Sequence, residues 1–170
     1  GVDWADGEDR LRDPGDIAGP LAPFSGTESL TDEVALRAVE PAARAAVWGD
    51  RLPESAGPKH MAVLINHALR DLLITYPQAL VFGEDVAKKG GVYTVTKGLW
   101  STFGGRRVFN TLLDETTILG LAQGYANMGF LPIPEIQYLA YFHNACDQIR
   151  GEAASLQFFS NNGFKNPLVL

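Results

Sequence analysis

Acidic residues stand directly after two apolar runs in this sequence. Glu84 and Asp85 follow the run "ALVFG", and Asp114 and Glu115 follow the run "RVFNTLL". A carboxyl group among apolar side chains has its ionised form disfavoured, so it can hold or share a proton near neutral pH. Glu115 is the sharpest candidate for such proton chemistry, because it lies where an apolar run gives way to a helix-like pattern.

These acids also have purely structural explanations. A carboxylate just before a helix is stabilised by the amide groups and dipole at that end, by about 0.3–1 kcal/mol when exposed. That effect alone could account for Asp114 and Glu115. Glu84 and Asp85 could form only a polar turn, and Glu135 could orient neighbouring backbone. Tyr141 could be a core tyrosine.

Other reactive residue types lack suitable partners in the sequence. His143 and Asp147 are four residues apart on a predicted helix, but two ligands do not make a metal site. Cys146 is the single cysteine, which excludes an internal disulfide, and its apolar neighbours favour a place in the core.

The apolar pattern predicts the elements that position these residues. "PKHMAVLINHALRDLLITYP", "ETTILGLAQGYANMGF" and "FHNACDQIRGEAASLQFFS" predict helices, the first with one apolar face. "ALVFGED", "RRVFNTLL", "LPIPEIQY" and "NPLVL" predict extended or strand segments. This alternation predicts an α/β fold with a doubly wound, mostly parallel sheet, whose functional residues lie at the carboxyl ends of the strands. Gly120, Gly124 and Gly129 are expected to let the helix approach the sheet.

The first third of the chain differs in composition from the rest. Residues 1–57 hold 12 acidic and 5 basic side chains, and we expect an acidic linker with short helices, one of them starting near Thr31 and a second at Pro41. Residues 58–170 hold 8 acidic and 9 basic side chains and contain the predicted sheet. Because the chain stops within "NPLVL", we expect a sheet that is incomplete at its C-terminus, in a piece of a longer protein.

Composition excludes two classes of partner. The net charge is −6 and neither part of the chain carries the basic patch expected of a nucleic-acid binder. No apolar run approaches the roughly 20 residues needed to cross a bilayer, and the acidic start does not match a signal peptide. We therefore expect a cytoplasmic location.

Three stretches together resemble a known family. "VFGEDVAKKGGVYTVTKGL", "RVFNTLLDETTILGLAQG" and "PEIQYLAYFHNACDQIRGEAA", in this order and spacing, resemble the pyrimidine-binding domain of the β-subunit of thiamine-diphosphate-dependent 2-oxo-acid dehydrogenases. The resemblance covers about residues 60–170 and is closest to forms whose α- and β-parts are fused in one polypeptide. It implies that residues 1–57 are the tail of an α-like region.

The resemblance implies roles for particular residues. Glu115, in "LLDET", would hydrogen-bond a ring nitrogen of the cofactor's aminopyrimidine and relay a proton, while Asp114 would belong to the helix start. The ring of Tyr141 would pack on the aminopyrimidine. Glu84 and Glu135 would lie close to the cofactor, and the main-chain carbonyl of Leu168 would contribute to a potassium site.

The resemblance also implies groups that this chain must find elsewhere. The family binds the diphosphate of thiamine diphosphate through Mg²⁺ on another domain, which starts with Gly-Asp-Gly, and "ADGED" does not match that motif. An α-type region, in the same or a partner chain, and a lipoyl acyltransferase component are the implied partners in an oligomer. We therefore expect these 170 residues alone to be inactive.

Two classes of function stay open. The first is oxidative decarboxylation of a 2-oxo acid with acyl transfer to a lipoyl group. "PEIQY" favours branched-chain substrates over the pyruvate or acetoin type. The second is a non-catalytic assembly module, which would have no need of an acid at the position of Glu115.

Overall fold

The computed structural model describes residues 41–170. The helix predicted to start near Thr31 lies outside these residues, and the one predicted from Pro41 is present. The described helices and strands, in chain order, are α1 (Pro41–Trp48), α2 (Met61–Thr75), β1 (Ala79–Gly83), α3 (Leu99–Phe103), β2 (Val108–Asn110), α4 (Glu115–Asn127), β3 (Leu131–Glu135), α5 (Leu139–Phe142) and α6 (Leu156–Phe159). Short 3₁₀ turns occupy Pro53–Ser55, Val92–Thr94 and His143–Ala145.

The three described strands form one parallel sheet in the order β2-β1-β3. Val81 at the centre of β1 pairs with Val108 on one side and with Ile133 on the other. All five residues of β1 are buried, as its continuous apolar run predicts for a central strand covered on both faces. Because the strands are parallel, their carboxyl ends meet at one edge.

Helices cover both faces of the sheet, which confirms the doubly wound α/β prediction. α2 and α3 pack on the face that carries Ala79 and Val81. α4 and the turn at His143–Ala145 pack on the opposite face, which carries Leu80 and Phe82. Each face thus has its own apolar cluster, and successive side chains of β1 pack alternately into one cluster and the other.

The apolar face predicted for α2 is only partly correct. Leu69 and Leu73 are buried against the sheet, but Met61, Leu64 and Ile65 are 75%, 53% and 41% exposed. The C-terminal half of α2 therefore lies over the sheet and the N-terminal half extends past it. Its C-terminal cap is the Tyr76 N–H, which donates to the Leu72 carbonyl, and Pro77 follows.

The predicted strand at "NPLVL" is not formed. The segment has no regular secondary structure, and the Val169 N–H donates to the Pro132 carbonyl over 3.1 Å. Because the Leu131 N–H bonds toward β1, the next residue along the strand faces the outer edge, and so does Pro134. Prolines have no N–H to give, so this edge can only accept hydrogen bonds.

The long helix predicted from Phe142 is broken into pieces. A π-helical segment, Gln148–Ala153, interrupts it, and the Ala154 N–H reaches back to the Ile149 carbonyl over 2.8 Å. Such π segments are rare and mostly form a single turn within a helix. None of the described helices is both long and apolar enough to cross a membrane.

Residues before position 58 contact the sheet domain through α1. The Arg44 guanidinium donates to both carboxylate oxygens of Asp71 on α2, at 2.9–3.2 Å, and pairs with Glu54. The Trp48 indole N–H donates to the same Asp71 carboxylate over 2.7 Å, and its ring meets His67 edge to face. This part of the predicted linker is thus held against α2.

Candidate active site

A cleft opens at the carboxyl edge of the sheet, between β1, β3 and the first turn of α4. The space between its lining atoms, with open solvent included, is about 220 Å³. Its lining combines carboxyl groups with apolar and aromatic side chains: Glu84, Leu113, Asp114, Glu115, Ile118, Glu135, Ile136, Gln137 and Tyr141. The sequence predicted acids at this edge, and the fold brings Glu84, Glu115, Glu135 and Tyr141 to one place.

Asp114 is the N-cap of α4. Its carboxylate accepts from the Thr117 N–H over 3.1 Å and from the Thr117 hydroxyl. The Thr117 hydroxyl, which donates to the charged form, lowers the pKa of Asp114. This acid therefore belongs to the helix start, as the sequence predicted.

Glu115 is the first residue of α4 and is half-buried. Its Oε2 accepts a hydrogen bond from the Asn144 side-chain amide over 3.2 Å. The Thr116 hydroxyl in turn donates to the Asn144 carbonyl over 3.0 Å, which fixes the 3₁₀ turn against α4. A carboxylate can accept about four hydrogen bonds, so Glu115 retains capacity for a further partner in the cleft.

Glu84 follows the last residue of β1 and lies in the same cleft. Burial is the first cause that raises its pKa, and the charges of Asp85 and Glu115 add to it, while Lys89 partly offsets them. The Gln137 side chain donates to the Glu84 carbonyl over 2.9 Å. The backbone of Glu84 is therefore held by Gln137 at the sheet edge.

Glu135 ends β3 and pairs in register with Gly83. Burial, with a smaller contribution from the charge of Glu84, raises the pKa of Glu135 to about 7. Gly83 is required for this approach, because a Cβ there would lie 2.8 Å from the Glu135 carbonyl oxygen. A bulkier residue would separate the two strand ends that carry Glu84 and Glu135.

The loop after Glu84 folds back over the sheet edge. The Thr96 hydroxyl is buried and donates to the Val86 carbonyl over 2.7 Å, and the Gly91 N–H donates to the Asp85 carbonyl over 2.8 Å. Asp85 adopts a left-handed conformation (φ 60°) and pairs with Lys89. The predicted polar turn is thus real for Asp85, which is not among the residues that line the cleft.

Tyr141 stands at the cleft wall with 48% of its surface exposed. Its ring packs edge to face on Tyr138, with centroids 5.7 Å apart, and Tyr138 in turn meets Tyr93 at 6.4 Å. The alternative of a core tyrosine is therefore wrong. The ring is instead an accessible aromatic surface beside Glu115.

Comparisons with known proteins agree with this geometry. Residues 58–159 match the family described as "Transketolase, pyrimidine binding domain". The chain belongs to this family.

Relatives of the pyrimidine-binding domain are β-subunits of 2-oxo-acid dehydrogenases. The chain is 49% identical over 89 residues to "3-methyl-2-oxobutanoate dehydrogenase subunit beta" of Mycobacterium tuberculosis (strain CDC 1551 / Oshkosh), which covers 52% of this chain and 26% of that protein. It is 43% identical over 110 residues to "Pyruvate dehydrogenase E1 component subunit beta" of Staphylococcus epidermidis (strain ATCC 35984), which covers 65% and 34%. The same-named protein of Staphylococcus aureus (strain Mu50) is 42% identical over the same shares. The chain therefore spans about a quarter to a third of these relatives.

Two side chains of the pyrimidine-binding domain were not anticipated from the sequence. Asn144, which holds Glu115, lies three residues after Tyr141 and so shares its helical face. Gln137, which holds the Glu84 carbonyl, lies in a bend two residues after Glu135, the last residue of β3. Both spacings were visible in the sequence, and only the tertiary fold shows their partners.

Two other predicted features lie away from the cleft. Leu168 is half-buried and packs against the apolar cluster around Phe82. A Cβ at Gly120, Gly124 or Gly129 would meet nothing within 4 Å, so the expectation that these glycines allow close packing on the sheet is wrong. Among residues 41–170, no three His, Cys, Asp or Glu side chains are grouped to hold a metal ion.

Proposed function

We propose that this chain is the pyrimidine-binding part of the decarboxylating component of a thiamine-diphosphate-dependent 2-oxo-acid dehydrogenase. The observation that carries the proposal is the place of Glu115. It is the first residue of α4, at the carboxyl edge of the sheet, in a cleft that it shares with the exposed ring of Tyr141. The family match and the names of the relatives support the same chemistry.

The donors and surfaces of the cleft fit the aminopyrimidine end of the cofactor. Glu115 has free lone pairs for a ring nitrogen, Tyr141 offers a ring for stacking, and Glu84 and Glu135 bring further carboxyl groups. When bound, thiamine diphosphate supplies a carbon nucleophile for the 2-oxo group and an electron sink for decarboxylation. Glu115 holds and returns a proton at its carboxylate, and Asn144 keeps that carboxylate in place.

The proposal also assigns the metal ions and partners that the complete reaction needs. We assign the Mg²⁺ that binds the diphosphate to an α-type region in the same or a partner chain, and acyl transfer to a lipoyl acyltransferase partner. The Leu168 carbonyl is proposed as one ligand of a potassium ion in the complete enzyme. The division of the chain at residues 57 and 58, and an oligomer of α- and β-type parts, belong to the same proposal.

Branched-chain 2-oxo acids are the proposed substrates. The support is the "PEIQY" stretch, together with the higher identity to the 3-methyl-2-oxobutanoate dehydrogenase relative than to the pyruvate dehydrogenase relatives. Turnover of 2-oxoisovalerate, 2-oxobutyrate and pyruvate by the complete enzyme tests this choice. A preference for pyruvate would replace it by the pyruvate type.

Replacement of Glu115 by Gln tests the proton relay. In the complete enzyme, decarboxylation measured with an artificial electron acceptor should fall by at least about 100-fold, because a positioned proton-transfer group contributes that much or more. Glu152→Gln, the same change at an exposed position outside the cleft, is the matched control. If Glu115→Gln keeps full activity, the relay is wrong and the assembly module becomes the better explanation.

A further inference from the structure

Glu135 holds a carboxyl oxygen in an unusual position. Its Oε2 is buried and has no hydrogen-bond partner within residues 41–170. Both carboxyl oxygens lie against the loop at Gly91, 3.5 and 3.6 Å from the point that a Cβ on that glycine would occupy. A buried carboxylate without donors is strongly disfavoured, whereas a protonated carboxyl group carries no charge to compensate.

Within residues 41–170, the charge that acts on Glu135 is negative. Glu84, at the end of β1, is the charged group that acts on it, and it acts unfavourably on the ionised form. The nearby Lys89 is paired with Asp85. Glu84 in turn feels Asp85, Lys89 and Glu115, so ionisation of Glu135 would add one more negative charge to an acidic cleft.

We propose that Glu135 is a positioning residue that keeps one proton in the cleft near neutral pH, and that this proton lets the Glu84 loop lie closed on the end of β3. Loss of the proton places like charges on two strand ends that the fold holds side by side. The raised pKa of Glu135, about 7, is consistent with this geometry. The effect on catalysis, described below, rests on the function proposed above.

Infrared titration of the chain without cofactor tests the proton directly. A carboxylic acid absorbs as a C=O stretch that disappears on ionisation. The wild type should lose one such band with a midpoint near pH 7, and Glu135→Gln should lack that band. Glu152→Gln, which changes an exposed acid, should keep it.

A second variant keeps the test independent of how Glu135→Gln folds. Glu84→Gln removes the neighbouring charge but leaves Glu135 in place, so the midpoint of the band should move to lower pH. An unchanged midpoint, or a wild type with no band above pH 6, overturns the proposal.

Activity of the complete enzyme tests the consequence. If the protonated form is required, kcat/KM of the wild type should fall about 15-fold between pH 7 and pH 8.5 through this group, and Glu135→Gln, which has no proton to lose in that range, should not show that fall. A Glu135→Gln variant whose kcat/KM falls between pH 7 and pH 8.5 as steeply as that of the wild type overturns the proposal. If the proposed function is wrong, the complete protein shows no decarboxylation to assay, but the infrared result still stands, so the two failures are distinguishable.

Discussion

Replacement of Glu135 by Gln should make the fold more stable at alkaline pH than the wild type. The pKa of this carboxyl rises from 4.5 to about 7 on folding. Below pH 4.5 the folded and unfolded chains are both protonated and pay no penalty. As the pH rises from 4.5 to 7, the unfolded chain releases its proton first and the folded state loses relative stability.

The size of the effect follows from the same shift. Because one pKa unit corresponds to about 1.36 kcal/mol, ionisation of Glu135 destabilises the folded state by at most about 3.4 kcal/mol above pH 7. Glutamine has nearly the same shape and no charge, so it does not incur this loss. The difference in unfolding free energy between Glu135→Gln and wild type should therefore grow by about 2.5 kcal/mol from pH 5 to pH 8.

Urea unfolding followed by circular dichroism at the two pH values measures this difference. Glu152→Gln, at an exposed position, should run parallel to the wild type. If the curve for Glu135→Gln also runs parallel to the wild type, Glu135 is already ionised or well solvated in the folded state. The reasoning about its buried Oε2 would then be wrong.

Two further predictions concern the loop and the aromatic wall. Gly90→Ala should destabilise the fold by about 1–3 kcal/mol, because φ is +88° and the new Cβ would lie 2.9 Å from the Lys97 Cα. Gly120→Ala, in open space on α4, should instead stabilise the fold by about 0.5–1 kcal/mol. Urea unfolding of both variants measures the two effects, and equal effects would contradict the reasoning. In the complete enzyme, Tyr141→Phe should bind thiamine diphosphate as the wild type does, because stacking needs the ring and not the hydroxyl. Tyr141→Ala should bind the cofactor about 2- to 10-fold more weakly, as measured by calorimetry. An equal loss of affinity in both variants would refute the stacking role.

Much of the site was predictable because it depends on local pattern. Apolar runs that end in acids predicted strand ends, and parallel strands bring such ends to one edge. Glu84, Glu115 and Glu135 could therefore be grouped from the sequence alone. The cap role of Asp114 also followed from its place in the sequence. These features need only periodicity and topology.

Features that depend on tertiary contact were less predictable. Periodicity identified α2 but not which of its apolar residues face the sheet, since Met61 and Leu69 fit the same helical pattern and only Leu69 is buried. The chemical difference between Glu115 and Glu135 has the same origin. Glu115 has an amide donor from Asn144, and Glu135 has a buried oxygen without one, a contrast set by segments distant in the sequence.

The prolines of β3 give the sheet an outer edge with a defined polarity. Over Pro132 and Pro134 the edge presents carbonyl groups and no N–H, and Val169 supplies the N–H that one of them accepts. Two such edges from separate molecules would set acceptor against acceptor, so β3 cannot serve as a template for its own pairing. The sheet is thereby protected from self-association at this edge while it stays open to a chain that brings donors.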